Sequence, residues 1–149
     1  MRAVVQRVAR AGVNVGAERV AEIGKGLCVL VGVASGDIEA DADRLAEKVV
    51  GLRIFEDDAG KMNLGLLQAG GEILAVSQFT LLGDVRKGKR PSFVDAMEPD
   101  SARELFERFC ESCRSLGARV STGRFRADMQ VDLVNDGPVT ILLDTKQAF

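Results

Sequence analysis

Apolar and polar positions alternate along Ala3-Val4-Val5-Gln6-Arg7-Val8, and strand-like patterning continues through Gly12 to Ile23 and Gly26 to Val33. A period of two marks extended chain with one face buried, and Gly24-Lys25-Gly26 reads as a short hairpin turn. From Gly36-Asp37 the period lengthens. Ile38, Ala42, Leu45, Val49 and Leu52 fall on one helical face, with Asp37 placed to cap the start. Asp57-Asp58-Ala59-Gly60 predicts a turn, and Gly70-Gly71 leads into a strand over Glu72 to Phe79. A second helix opens at Pro99-Asp100-Ser101, where Ser101 and Glu104 have the spacing of a capping box. Ala102, Leu105, Phe106, Phe109, Cys113 and Leu116 form its apolar stripe, and Gly117 supplies the stop. Arg119 to Ser121, Met129 to Val134 and Val139 to Asp144 read as closing strands. Hairpin connections with two isolated helices predict α+β rather than a doubly wound sheet: mostly antiparallel sheet layers with two main helices packed on one side. No linker, repeat or low-complexity tract interrupts the chain, so 1–149 is read as a single domain.

A chain of 149 residues hides roughly 70% of its unfolded surface on folding, enough for one core without metal or disulfide staples. The longest apolar run, Gly26 to Ala34, is far short of a membrane span, and Met1-Arg2-Ala3 opens no secretory signal. A cytoplasmic address and no membrane partner are therefore expected. Three cysteines, sparse and odd in number, fit reduced thiols. The chain has no histidine, which excludes Ser-His-Asp and Cys-His triads, His-containing zinc sites and any imidazole shuttle. Catalysis, if present, must come from carboxylates, lysine, hydroxyls, backbone dipoles or the substrate itself, and neither a metal nor another cofactor is expected. A net charge of −2 argues against a uniformly basic nucleic-acid binder and leaves room for a local phosphate-binding patch.

Six segments could carry chemistry. Cys110-Glu111-Ser112-Cys113 is a C-x-x-C, but it lies well inside the second helix, on or beside its core stripe, away from the N-terminal dipole that makes a thiol reactive. It reads as structural. Gly83-Asp84-Val85-Arg86-Lys87-Gly88-Lys89-Arg90 nearly spells a P-loop, yet Arg90 stands where the magnesium-holding hydroxyl belongs and Pro91 follows instead of a helix. What remains is a basic loop, either solvated or a dock for a polyanion, with Arg86, Lys87, Lys89 and Arg90 as its cations. Ser77-Gln78-Phe79-Thr80-Leu81 ends a strand with three polar side chains, and Thr80 lacks any adjacent base that would make it a nucleophile. Asn135-Asp136-Gly137-Pro138-Val139-Thr140 is a turn entering a strand, with either a trans or a cis Gly-Pro bond. The carboxylate pairs Asp57-Asp58 and Asp41/Asp43 read as turn and exposed helix face, not as a calcium loop.

Together, Ser77-Gln78-Phe79-Thr80-Leu81 and Asn135-Asp136-Gly137-Pro138-Val139-Thr140 resemble the two signature motifs of the D-aminoacyl-tRNA deacylase family. Met1 to Val8, Gly60-Lys61-Met62-Asn63, Lys87-Gly88-Lys89-Arg90-Pro91-Ser92-Phe93 and Gly123-Arg124-Phe125 also match in order, so the resemblance covers essentially the whole chain. It implies hydrolysis of the ester joining a D-amino acid to the terminal adenosine of tRNA, by a homodimer with its sites at the subunit interface. In that family the Gly-Pro bond is cis and enters the partner's pocket. By the resemblance, Gly137 and Pro138 face the chiral centre and exclude an L side chain, and Arg7 holds them. Ser77, Gln78, Phe79 and Thr80 line the reaction pocket, and Phe125 and Met129 lie near the adenosine. The chain departs from the family pattern at Arg126, where glycine commonly follows Gly-Arg-Phe, and at Gly65, where serine often follows Met-Asn-Leu. Such a site selects by lack of space, orients water with backbone donors and leaves proton handling to the ribose 2′-hydroxyl. Glycyl-tRNA, with nothing to exclude, is an expected further substrate. The competing reading is a non-catalytic RNA-end or nucleic-acid binding module.

Overall fold

The computed structural model describes all 149 residues. Its spine is β1 (Arg2–Val15), a strand of 14 residues that begins where the alternation predicts and runs on through Gly12. The predicted strand over Gly12 to Ile23 is divided by a hairpin at Gly16-Ala17, after which β2 (Glu18–Ile23) returns along the second half of β1. β3 (Gly26–Gly32) pairs antiparallel with its first half, from Arg2↔Gly32 to Val8↔Gly26.

The chain then leaves the sheet through α1 (Glu39–Gly51), a hairpin of β4 (Phe55–Glu56) and β5 (Met62–Leu64), and the single turn α2 (Leu66–Ala69). It re-enters as β6 (Glu72–Ser77), parallel to β3. A second excursion, through a 3₁₀ turn at Phe79–Leu82 and the long α3 (Pro99–Ser115), leads to β7 (Val120–Thr122), parallel to β6. The predicted strand over Glu72 to Phe79 therefore stops at Ser77, because the chain turns there rather than continuing in register. Parallel neighbours need long crossovers, and crossovers of one hand that step the same way along the sheet leave their helices on one face. Finally, the two predicted segments Met129 to Val134 and Val139 to Asp144 join in one strand, β8 (Gln130–Asp144), antiparallel to β1. The main sheet has the order β2-β1-β3-β6-β7, with β8 on β1, and the architecture is α+β as expected.

Both helices share one core with the sheet. Leu45, Val49, Leu105, Phe106 and Phe109 meet Leu27, Val29, Val31, Ile73 and Ala75 from β3 and β6. The alternate residues of those strands, Cys28, Leu74 and Val76, face a smaller cluster with Val8, Ala11, Val13 and Ile23. β3 and β6 are thus covered on both sides, which is why their sequences read as continuous apolar runs.

Both predicted helix caps are corrected. Ile38 is the residue at the α1 N-cap, and Asp41 one turn later accepts its backbone N–H at 2.9 Å. Asp37 instead accepts from Ala34 N–H at 2.7 Å and pairs with the buried N-terminal ammonium of Met1 at 2.9 Å. That charge needs a partner in the fold, a demand no local spacing reveals. At α3 the cap is Glu98, whose carboxylate accepts the N–H groups of Asp100 and Ser101; Ser101 already lies inside the helix, with Pro99 at its first turn. No helix is long and apolar enough to cross a membrane.

Candidate active site

Sequence reasoning nominates two motifs, and each is built on a different part of the sheet. At the end of β6 the chain makes its 3₁₀ turn, fixed by Gln78 N–H donating to Val31 O at 2.7 Å and Gly83 N–H to Thr80 O at 3.0 Å. This stands Ser77, Gln78, Phe79 and Thr80 along one wall of a cavity of about 570 Å³. Gln78 Nε2 donates to Thr80 Oγ1 at 3.1 Å, so the hydroxyl oxygen is held by an amide rather than approached by a base. Phe79, 57% exposed, packs edge-on against Phe93 with ring centres 5.0 Å apart.

Further lining comes from the segment after β7. Phe125 and Met129 line the cavity, joined by Arg126 and Ala127. Phe125 rests against the core near Phe106 and lies under the Arg103 guanidinium at 5.6 Å. A Cβ on Gly123 would sit 2.6 Å from Met129 Sδ, so the glycine of Gly123-Arg124-Phe125 makes the room that Met129 occupies. The start of α3 adds its cap Glu98, with Pro99 and Ala102, to the lining. The helix start is legible in the sequence; that its capping carboxylate borders the cavity is not, because the connection between β6 and α3 is irregular. Glu98 is the one carboxylate of the lining, and the two backbone N–H groups it accepts hold its pKa below the usual carboxylate range.

The second motif does not line this cavity. Between the pairs Val8↔Asn135 and Gln6↔Thr140, residues 136–139 of β8 bulge out opposite Arg7 alone. Asn135 ties the bulge from within: its Oδ1 accepts from Val139 N–H at 2.8 Å and its Nδ2 donates to Thr140 Oγ1 at 3.1 Å. The Gly137-Pro138 bond is cis. Arg7, buried, donates from Nε to Asp136 O at 2.9 Å and from Nη1 to Ile54 O at 2.7 Å. Gly137 has φ +138°, and a Cβ there would lie 2.8 Å from Val139 Cγ2 and 3.1 Å from Arg7 Nη2. One chain therefore holds the pocket and the Gly-Pro element as separate features.

The basic loop is an exposed excursion closed by the Asp84↔Ser92 bridge, which leads directly to Phe93 at the cavity. Arg86 is engaged by Asp84, with Nη2 to Oδ2 at 2.7 Å, and Lys87, Lys89 and Arg90 project into solvent. The C-x-x-C thiols are free and buried, and burial pushes both up to about 12, as a core role requires.

A family model described as D-Tyr-tRNA(Tyr) deacylase matches residues 4–144. A D-aminoacyl-tRNA deacylase of Symbiobacterium thermophilum is 60% identical over all of this chain and 99% of its own length. The chain belongs to the D-aminoacyl-tRNA deacylase family. The family relative from Myxococcus xanthus is 61% identical over 97% of this chain and 95% of its own. Among solved structures, one titled c-Myc DNA Unwinding Element Binding Protein superposes with a TM-score of 0.92 at 43% identity, covering 97% of this chain and 99% of that one. Another, titled a probable eukaryotic D-amino acid tRNA deacylase, shares the fold with a TM-score of 0.81 at 20% identity, covering 95% of this chain and 97% of that one.

Proposed function

We propose that this chain hydrolyses the ester of D-aminoacyl-tRNA, releasing the D-amino acid and free tRNA. Full-length identity of 60% to a chain of that name carries the reading; both motifs being built intact agrees with it. The substrate is the charged acceptor end, met where translation occurs, in the cytoplasm.

The functional unit is a homodimer in which the Gly137-Pro138 bulge of one chain completes the partner's cavity. Two features support this. The bulge and the cavity are separate within a chain, and β8 pairs with β1 alone, leaving a 15-residue strand with a free edge. Val134 and Leu142 are exposed along it. Long apolar edges of this kind are normally covered.

In the completed site, backbone at Gly137 and Pro138 occupies the space an L side chain needs, and Arg7 holds it there. Ser77 to Thr80 bracket the ester, and Phe125 with Met129 receive the adenosine. An aminoacyl ester is activated, so orientation and oxyanion donors suffice; the first N–H groups of the Phe79 turn have no partner within the turn. Thr80, held by Gln78 and without a base, orients water or substrate. The ribose 2′-hydroxyl handles the proton. Glycyl-tRNA, having no side chain, passes the same filter.

The test is ester release from D-aminoacyl-, L-aminoacyl- and glycyl-tRNA by the purified chain: fast, negligible and measurable release are expected in that order. Equal release from both enantiomers, or none, would overturn the reading. The relative titled as a DNA-unwinding-element binding protein favours a second one, a non-catalytic nucleic-acid binder using the same face. That reading requires single-strand binding without turnover.

A further inference from the structure

Arg126 is the one residue of the cavity wall that its own backbone argues against. It sits at φ +63°, in the left-handed region that a Cβ disfavours. Its side chain is exposed and makes no ion pair or hydrogen bond within the chain, while Arg124 two residues earlier reaches Glu18 at 3.2 Å. Neighbouring Glu98 accepts the α3 N–H groups of Asp100 and Ser101, and the Arg126 charge adds to their lowering of its pKa. The guanidinium thus lines the cavity with Phe125, Met129 and Thr80, near the Glu98 carboxylate but in ion-pair contact with no group of the chain.

We propose, on the deacylase reading, that Arg126 binds the phosphodiester on the 5′ side of the terminal adenosine. The ester occupies the Ser77 to Thr80 wall and the nucleoside the Phe125 and Met129 wall, so the group leaving the cavity beside Arg126 is the phosphate that links the nucleoside to the rest of the RNA. A planar guanidinium fork matches phosphate oxygens in a two-point contact. The contact gives this chain an anchor that a glycine at the position lacks.

The experiment compares wild type, Arg126→Gly and Arg126→Lys on D-aminoacyl-tRNA and on 3′-D-aminoacyl-adenosine, which carries no phosphate. Arg126→Gly is expected to raise KM for the tRNA ester about tenfold with kcat little changed, and to leave hydrolysis of the adenosine ester within about twofold. The lysine variant recovers part of the loss, and the glycine variant melts no lower than wild type. Equal loss on both substrates, or no loss on either, overturns the contact. Salt-dependent binding of unacylated tRNA separates the phosphate contact from the deacylase activity. A slope of log K against log salt reduced by about 0.7 to 1 in Arg126→Gly upholds the phosphate contact even if wild type cleaves nothing, an outcome that would sink only the deacylase reading. An unchanged slope overturns the contact even if wild type is fully active.

Discussion

At the scale of single residues, magnitudes separate the roles open to Thr80. Its hydroxyl accepts a neutral amide at 3.1 Å, an interaction worth about 0.5 to 1.5 kcal/mol, whereas losing a covalent nucleophile typically costs on the order of a millionfold in turnover. Thr80→Ala is therefore expected to keep kcat within about tenfold, as measured by single-turnover release of D-amino acid. A drop of several orders of magnitude, or a trapped acyl-Thr80, would exclude the orienting role. Gly137→Ala acts through conformation and space together. Its φ of +138° and the 2.8 Å approach to Val139 Cγ2 predict a loss of about 1 to 3 kcal/mol, seen as a lower melting temperature, with D-ester cleavage falling further than stability alone explains. The cysteines predict silence: with Cys28 at about 11 and Cys110 and Cys113 at about 12, thiol reagents at pH 8 are expected to label the chain only after unfolding.

Between elements, the polar link of α1 to α3 runs through Arg108, which reaches both Asp43 and Glu39. Asp43 accepts from Arg108 at 2.9 and 3.0 Å and also from the Ser112 hydroxyl, and these donors hold it at about 2. A depressed carboxylate stabilises the fold above its unfolded pKa of about 3.9, and the contribution is lost as pH falls toward 2. Asp43→Asn is expected to lower the melting temperature at pH 7 by a few degrees, the gap to wild type narrowing between pH 4 and pH 2. A gap independent of pH would assign the effect to packing. On the basic loop, Arg86 is already paired with Asp84, which leaves Lys87, Lys89 and Arg90 as its free cations. Replacing Lys87 and Lys89 with glutamine is expected to flatten the salt slope of tRNA binding by about 1.4 to 1.8; an unaltered slope would make the loop merely solvated.

For the whole molecule, the proposed dimer has a sharp consequence. If the Gly137-Pro138 bulge serves the partner's cavity, a Gly137→Ala chain and a chain with several of Ser77 to Thr80 replaced, each impaired as a homodimer, regain activity when co-refolded. The mixed dimer contains one intact site and one doubly altered site. If every site is built within one chain, mixing restores nothing.

The sequence determined the elements whose signals are local. The α1 and α3 stripes and the apolar runs of β3 and β6 were legible because periodicity and residue type act over a few neighbours, whereas the two functional motifs, which by spacing alone read as a strand end and a turn, were legible only through their resemblance to the deacylase family. It also excluded imidazole chemistry outright, since no histidine exists to be positioned. Tertiary structure decided what depends on distant partners. Asp37 serves the Met1 ammonium, not a helix cap, because a buried charge must be paired wherever the fold brings one. Glu98 borders the cavity because the segment entering α3 is tied to the chain leaving β3, with Met97 N–H donating to Val33 O and Ala96 bridging Ala34. The second motif lies opposite Arg7 because β8 returns along β1 from the far end of the chain, and pairing at that separation leaves no trace in local spacing.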